Sequence, residues 1–174
     1  MTAGLARLNA LPPAEAADEL RACCGSSRWV SAMLAGRPFA SVVALISAAR
    51  DAWQATGPAD WDEAFAHHPR IGERRAAAAV SARARDWSAG EQGAATASDA
   101  ATHTALAEAV ASYERRFGRI YMVCASGLSA GELLADIGAR LRNDPEHERR
   151  VAMREQGKIT ALRLRKLVGA EEES

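Results

Sequence analysis

Seven consecutive residues, His67-His68-Pro69-Arg70-Ile71-Gly72-Glu73, bring two imidazoles, a guanidinium and a carboxylate together beside a proline and a glycine. An imidazole titrates near neutrality and can take or give a proton at working pH. A guanidinium holds an anionic oxygen through paired donors. Proline drives the residue before it out of the right-handed helical region, so His68 is expected at a bend, with its ring directed away from the helix surface. Gly72 permits a tight turn or a close backbone approach. A plainer reading of the same residues is a helix end, in which His-Pro terminates the helix carrying Trp61 and Phe65 while Arg70 and Glu73 are solvated.

Three further groups carry chemistry. Ser88-Ala89-Gly90-Glu91 recurs as Ser129-Ala130-Gly131-Glu132, and both fit the Ser-x-x-Glu box in which serine and glutamate satisfy the first free amides of a helix. Capping accounts for the second copy. For the first, a catalytic carboxylate at Glu91 is the rival. Arg163 lies four residues after Ile159, near the apolar face of the last helix. An arginine buried there requires an anionic partner; the alternative is a side chain extended along the helix rim. A metal-dependent hydrolase would have to draw on His67, His68, His103 and His147, whose spacing matches none of the usual ligand patterns.

These groups need a scaffold, and the composition indicates a helical one. The chain has 174 residues, 48% of them hydrophobic but only 5% aromatic, with alanine prominent. That length suits one domain, residues 1–174, with a core large enough to stand without staples. The 22 basic and 22 acidic residues cancel, so no net positive field recommends nucleic acid or an anionic membrane as partner. Cys23, Cys24 and Cys124 form neither a disulfide framework nor a Cys-x-x-Cys metal pair, and a reducing cytoplasm is the expected setting. No secretory leader and no bilayer-spanning apolar run are read.

In chain order, Pro12-Pro13 opens a helix through Leu20, with Pro13 in its first turn. A short helix is expected from about Trp29 to Leu34, and another from Ser41 to Trp53 with Val42, Leu45, Ile46 and Trp53 at helical spacing. Trp61 to Phe65 leads into the His-Pro bend. Residues 74–86 are mostly alanine and arginine and suggest a solvated helix. A long helix then runs to Phe117, where Leu106, Val110, Tyr113 and Phe117 share one face and Gly118 ends it. The apolar run Ile120 to Ala125 has no partner strand in the sequence and is expected to be an extended wall. Ser129 starts the next helix, with Leu133, Leu134, Ile137 and Leu141 inward and Asn143 at its end. Asp144-Pro145 caps the last one, whose apolar face is Val151, Ile159, Leu162 and Leu167. The fold class expected is an all-α, single-domain helical bundle of about seven to nine helices.

With these segments in place the chain resembles the 2-oxo-4-hydroxy-4-carboxy-5-ureidoimidazoline (OHCU) decarboxylase family. His68-Pro69-Arg70-Ile71-Gly72 resembles its His-Pro-Arg-Ile-Gly motif, and Ser88 to Gln92 is similar to its Ser-x-x-Glu-Gln motif. Tyr113 to Gly118, Arg140-Leu141-Arg142-Asn143, Glu148, and Lys158-Ile159 through Arg163-Leu164 match in order. So do Leu11-Pro12, Trp29 and Arg37-Pro38-Phe39. The resemblance implies a helical homodimer with neither metal nor organic cofactor, a carboxy-lyase of urate degradation that converts OHCU to (S)-allantoin. It implies catalytic roles for His68, Glu91 and Arg163. It implies substrate contacts at Pro69, Ser88, Ala89, Gly90 and Gln92, and along Tyr121, Met122, Val123, Cys124 and Ala125. Tyr121 and Met122 stand where the family carries phenylalanine and an aliphatic residue, a change that leaves backbone amide contacts unaffected.

The residue types suit that reaction. Loss of carbon dioxide leaves an electron pair on carbon, and the conjugated imine of such a substrate accepts it, so no metal or pyridoxal-type sink is required. A histidine oriented by a carboxylate can move the substrate hydroxyl proton, and an arginine can fix an oxygen. A helical interaction module that keeps the fold without the activity is the competing class.

Overall fold

The structure, a computed structural model, describes residues 2–71, 86–87 and 100–170. Eight helices and no strand are found among the described residues: α1 Ala3–Ala10, α2 Pro13–Cys23, α3 Ser27–Ala35, α4 Val42–Gln54, α5 Pro58–Ala66, α6 Ala100–Phe117, α7 Ala130–Arg140 and α8 Pro145–Leu167. The all-α expectation holds. The helices group into two compact units, Met1–Ala64 with Gly157–Ser174, and Phe65–Gln156. Helices α5 and α8 each carry residues of both.

In the first unit, Leu5, Leu8, Leu20, Trp29, Met33 and Leu45 are buried on α1 to α4, with Leu164 and Val168 on the C-terminal side. The sequence suggests one helix near Pro12-Pro13; there are two. Leu11 precedes a proline and takes φ −59, ψ 142, which ends α1 before Pro13 starts α2. The freed carbonyls of α1 are not left bare: Arg37 Nη1 donates to Leu8 O at 2.8 Å and to Leu11 O at 2.9 Å. Asn9 pairs with Phe39 in both directions, Nδ2 to Phe39 O and Phe39 N to Oδ1, each at 2.9 Å. Trp29 Nε1 donates to Ala49 O at 3.0 Å, tying α3 to α4. Gly4 is required by contact rather than by backbone freedom, since a Cβ there would stand 2.7 Å from the backbone of Val168. Three family-like features, Leu11-Pro12, Trp29 and Arg37-Pro38-Phe39, thus have structural explanations inside this unit.

The second unit has its own core, in which Leu106, Val110, Tyr113 and Phe117 of α6 meet Leu133 and Ile137 of α7 together with Tyr121 and Ala125. The helix α6 stops where expected, with Gly118 at φ 65 and its N–H donating to Glu114 O at 2.8 Å. Residues 120–125 are neither helix nor strand. Ser129 caps α7 with a complete capping box: Glu132 N donates to Ser129 Oγ at 3.3 Å, and Ser129 N donates to Glu132 Oε2 at 2.8 Å. That backbone bond holds the Glu132 carboxyl below its ordinary range. The helix ends at Arg140, three residues before Asn143, in a turn closed by Asn143 N to Arg140 O at 3.0 Å. Asp144 caps α8, accepting from His147 N at 2.9 Å. No helix among the described residues is long and apolar enough to cross a membrane.

Candidate active site

The His68 corner is built at the end of α5. His68 N–H donates to Phe65 O at 3.1 Å as the chain leaves the helix, and His67, His68 and Pro69 are half-buried. Two contacts downstream anchor the bend. Ile71 packs against the second unit's core, and Arg70 Nε donates to Glu114 Oε1 on α6 at 2.7 Å. The plainer expectation of a solvated Arg70 is therefore replaced by an ion pair, although an exposed one of small energetic worth. Glu73 lies outside the described residues.

The 120–125 stretch is the second component, and the same unit carries it. Tyr121 and Met122 are buried, Val123 and Cys124 half-buried, and Ala125 buried. Charged side chains of α7 and α8 fasten it. Tyr121 Oη donates to Asp136. Met122 O accepts from Arg140 Nη1 at 2.8 Å, and Cys124 N donates to Glu155 Oε2 at 2.9 Å. Burial raises the phenols of Tyr121 and Tyr113, and their bonds to Asp136 and Glu148 raise them further, so both are neutral donors.

Behind this stretch lies a buried ionic group. Arg140 is 5% exposed and Glu148 fully buried. Arg140 reaches Glu148 Oε1 from Nε at 2.8 Å and from Nη2 at 2.5 Å. Tyr113 Oη and Asn143 Nδ2 also donate to the Glu148 carboxylate. Burial pulls the Arg140 guanidinium down, but the bonds to Glu148 outweigh it and hold the group charged. Sequence reasoning matched Arg140 and Glu148 to a family without a role for either, and passed over Asp136 and Glu155. A signal was present: Leu133, Ile137 and Arg140 share one helical face, so an arginine continues an apolar stripe. The same argument singled out Arg163.

Arg163 lies on α8 in the first unit and is 2% exposed, so the rim reading is excluded. Its Nη1 donates to Ala22 O at 3.4 Å. The neighbouring Cys24 thiol is pushed up to about 12 by burial, against hydrogen bonds from Ser26 and Thr160 and the charge of Arg163, all of which lower it. Cys24 is thus a protonated, unreactive thiol at neutral pH. Of the residues named from the sequence, His68, Pro69 and Tyr121 to Ala125 belong to one unit and Arg163 to the other. Ser88, Ala89, Gly90, Glu91 and Gln92 lie outside the described residues. His103 and His147 are exposed, and among the described residues no three His, Cys, Asp or Glu side chains are grouped to hold a metal ion.

Comparison with known proteins bears on this geometry. The family model for OHCU decarboxylase matches residues 9–165. The chain is 40% identical over 152 residues to the uric acid degradation bifunctional protein TTL of Arabidopsis thaliana, covering 86% of this chain and 46% of that protein. It is 29% identical over 141 residues to the 2-oxo-4-hydroxy-4-carboxy-5-ureidoimidazoline decarboxylase of Amia calva, covering 79% and 78% of the two chains. It thus spans about half the length of the plant relative. Among solved structures, an OHCU decarboxylase crystallised in the presence of (S)-allantoin superposes with a TM-score of 0.74 at 36% identity, covering 87% of this chain and 98% of that one. An (S)-allantoin synthase structure shares the fold, with a TM-score of 0.68 at 18% identity over 94% of this chain and 54% of that one.

Proposed function

Because the chain belongs to the OHCU decarboxylase family, we propose that it decarboxylates 2-oxo-4-hydroxy-4-carboxy-5-ureidoimidazoline to (S)-allantoin, as a cofactor-independent carboxy-lyase of urate degradation. The observation that carries this reading is the extent of the family match. Residues 9–165 include the His68 corner, residues 88–92, residues 120–125 and Arg163, and they draw on both compact units. On that ground residues 1–174 act as one catalytic domain. It works as a homodimer in the cytoplasm.

In the reaction the bond between the ring carbon and the carboxylate breaks, carbon dioxide departs, and the electron pair passes into the adjacent conjugated imine, whose nitrogen takes up a proton. The hydroxyl then loses its proton to become a carbonyl as a proton adds to the former imine carbon. His68, paired with Glu91, removes the substrate hydroxyl proton and governs the returning one; Glu91 keeps the imidazole in a single tautomer. Arg163 holds an anionic or carbonyl oxygen, its burial strengthening the interaction. Pro69, Ser88, Ala89, Gly90 and Gln92 contact the substrate, as do Tyr121, Met122, Val123, Cys124 and Ala125, chiefly through backbone amides in the latter stretch. Proton delivery from one side accounts for a single allantoin enantiomer.

The test generates OHCU in place from urate, adds the protein and follows (S)-allantoin by circular dichroism. His68→Asn is expected to lose about a hundredfold or more in rate with helicity intact. Near-normal turnover in that variant would remove His68 from the chemistry. A folded wild-type protein with no turnover at all would favour the helical interaction module.

A further inference from the structure

We propose that Arg140 is a positioning residue for the reaction, holding the peptide between Met122 and Val123 in the orientation that presents the Val123 amide to the substrate. The inference rests on the reading that residues 121–125 contact the substrate.

The guanidinium is a rigid planar fork, and its donors serve two purposes. Nε and Nη2 bind the Glu148 carboxylate, while Nη1 donates to Met122 O at 2.8 Å. The carboxylate is in turn fixed by Tyr113 Oη and by Asn143 Nδ2 at 2.7 Å. The Arg140 guanidinium also lies over the Tyr121 ring, 4.8 Å from its centroid. The Met122 carbonyl is thereby referred to α6, α7 and α8 together. A trans peptide is planar, with C=O and N–H on opposite sides. A carbonyl aimed at the guanidinium therefore directs the Val123 N–H the opposite way, away from Arg140. Among the described residues no acceptor for that N–H is found. One residue on, Cys124 N donates to Glu155 Oε2 at 2.9 Å, which restrains the following peptide. The amide of the half-buried Val123 is thus held between two fastened neighbours as a donor for a substrate oxygen, and a donor ordered before binding spares the cost of ordering it on binding.

Arg140→Lys separates positioning from simple stability. A lysine retains a charge for Glu148 but is a point donor and does not reach Glu148 and Met122 O in the same fork. We expect KM to rise about tenfold while kcat changes little, because His68 is untouched. The free variant should also show a displaced Val123 amide resonance, and the Val123 shift induced by (S)-allantoin in the wild-type protein should shrink. Where Arg140→Lys does not fold, Glu148→Gln is read in the same way, since it keeps the shape of the acceptor and removes its charge. If the melting temperature falls while KM and the Val123 response stay at wild-type values, the arginine is structural only and the inference fails alone. If (S)-allantoin leaves the Val123 amide of the wild-type protein unmoved, the substrate-contact reading fails and this inference with it.

Discussion

The His68 corner and the 120–125 stretch are both irregular and both belong to the second unit, yet they are held by opposite means. At the corner, a half-buried isoleucine and an ion pair whose side chains are 52% and 24% exposed fix the chain after the proline. At the 120–125 stretch, the fastening ion pair is 6% and 0% exposed. The difference is one of dielectric. An exposed pair is solvated and screened, and its net worth is small. A buried pair forfeits hydration on both sides and depends on every remaining bond, so removal of one partner leaves a charge with nowhere to go. The corner relies on covalent stiffness at Pro69 and on packing. The stretch has no proline and is shaped by buried and part-buried polar bonds.

The largest effect that would test this contrast is at Glu148. Glu148→Ala is expected to cost about 3–5 kcal/mol, read as a lower denaturant midpoint, because Arg140 is left buried without its carboxylate. A cost below about 1 kcal/mol would put the pair in the same class as the exposed one. Next comes Ile71→Ala, which removes the corner's apolar anchor. With Ile71 half-buried, a loss of about 1–2 kcal/mol is expected, together with slower turnover under the role proposed for His68. Unchanged turnover would mean that the packing of Ile71 does not place the histidine. The smallest effect is expected for Arg70→Ala, less than about 1 kcal/mol and diminishing as salt is added. A large, salt-independent loss there would overturn the account of the corner.

The degree to which each feature was legible follows the range of the forces involved. Helix ends were readable where a local residue sets them. Gly118 ends α6, Ser129 and Asp144 cap α7 and α8, and a short-range steric or hydrogen-bonding rule suffices for each. Helix α1 is the exception, because the two prolines have two consequences: Pro13 starts α2, and Leu11, which precedes a proline, is driven out of the helical region and ends a helix already in progress. The burial of Arg163 was indicated by its helical phase beside Ile159. Arg140 had the same phase relation to Leu133 and Ile137, but its carboxylate sits beyond a helix break, eight residues on, and no periodicity rule crosses that gap. The bond from Glu155 to the Cys124 amide joins residues 31 apart, and helical phase says nothing of a contact at that separation.

What the sequence determined by itself is the helical class, the positions of most helix ends and the bend at His68, because each depends on residue type and spacing within a few turns, and the family, because its motifs are short and recur in order along residues 9–165. What only the tertiary structure decided is which charges are buried. Arg70 and Arg140 each meet a glutamate, but one pair faces water and the other is enclosed by Tyr113, Tyr121 and Asn143. The energy of a charge depends on the dielectric around it, and that environment is assembled from helices distant in the chain.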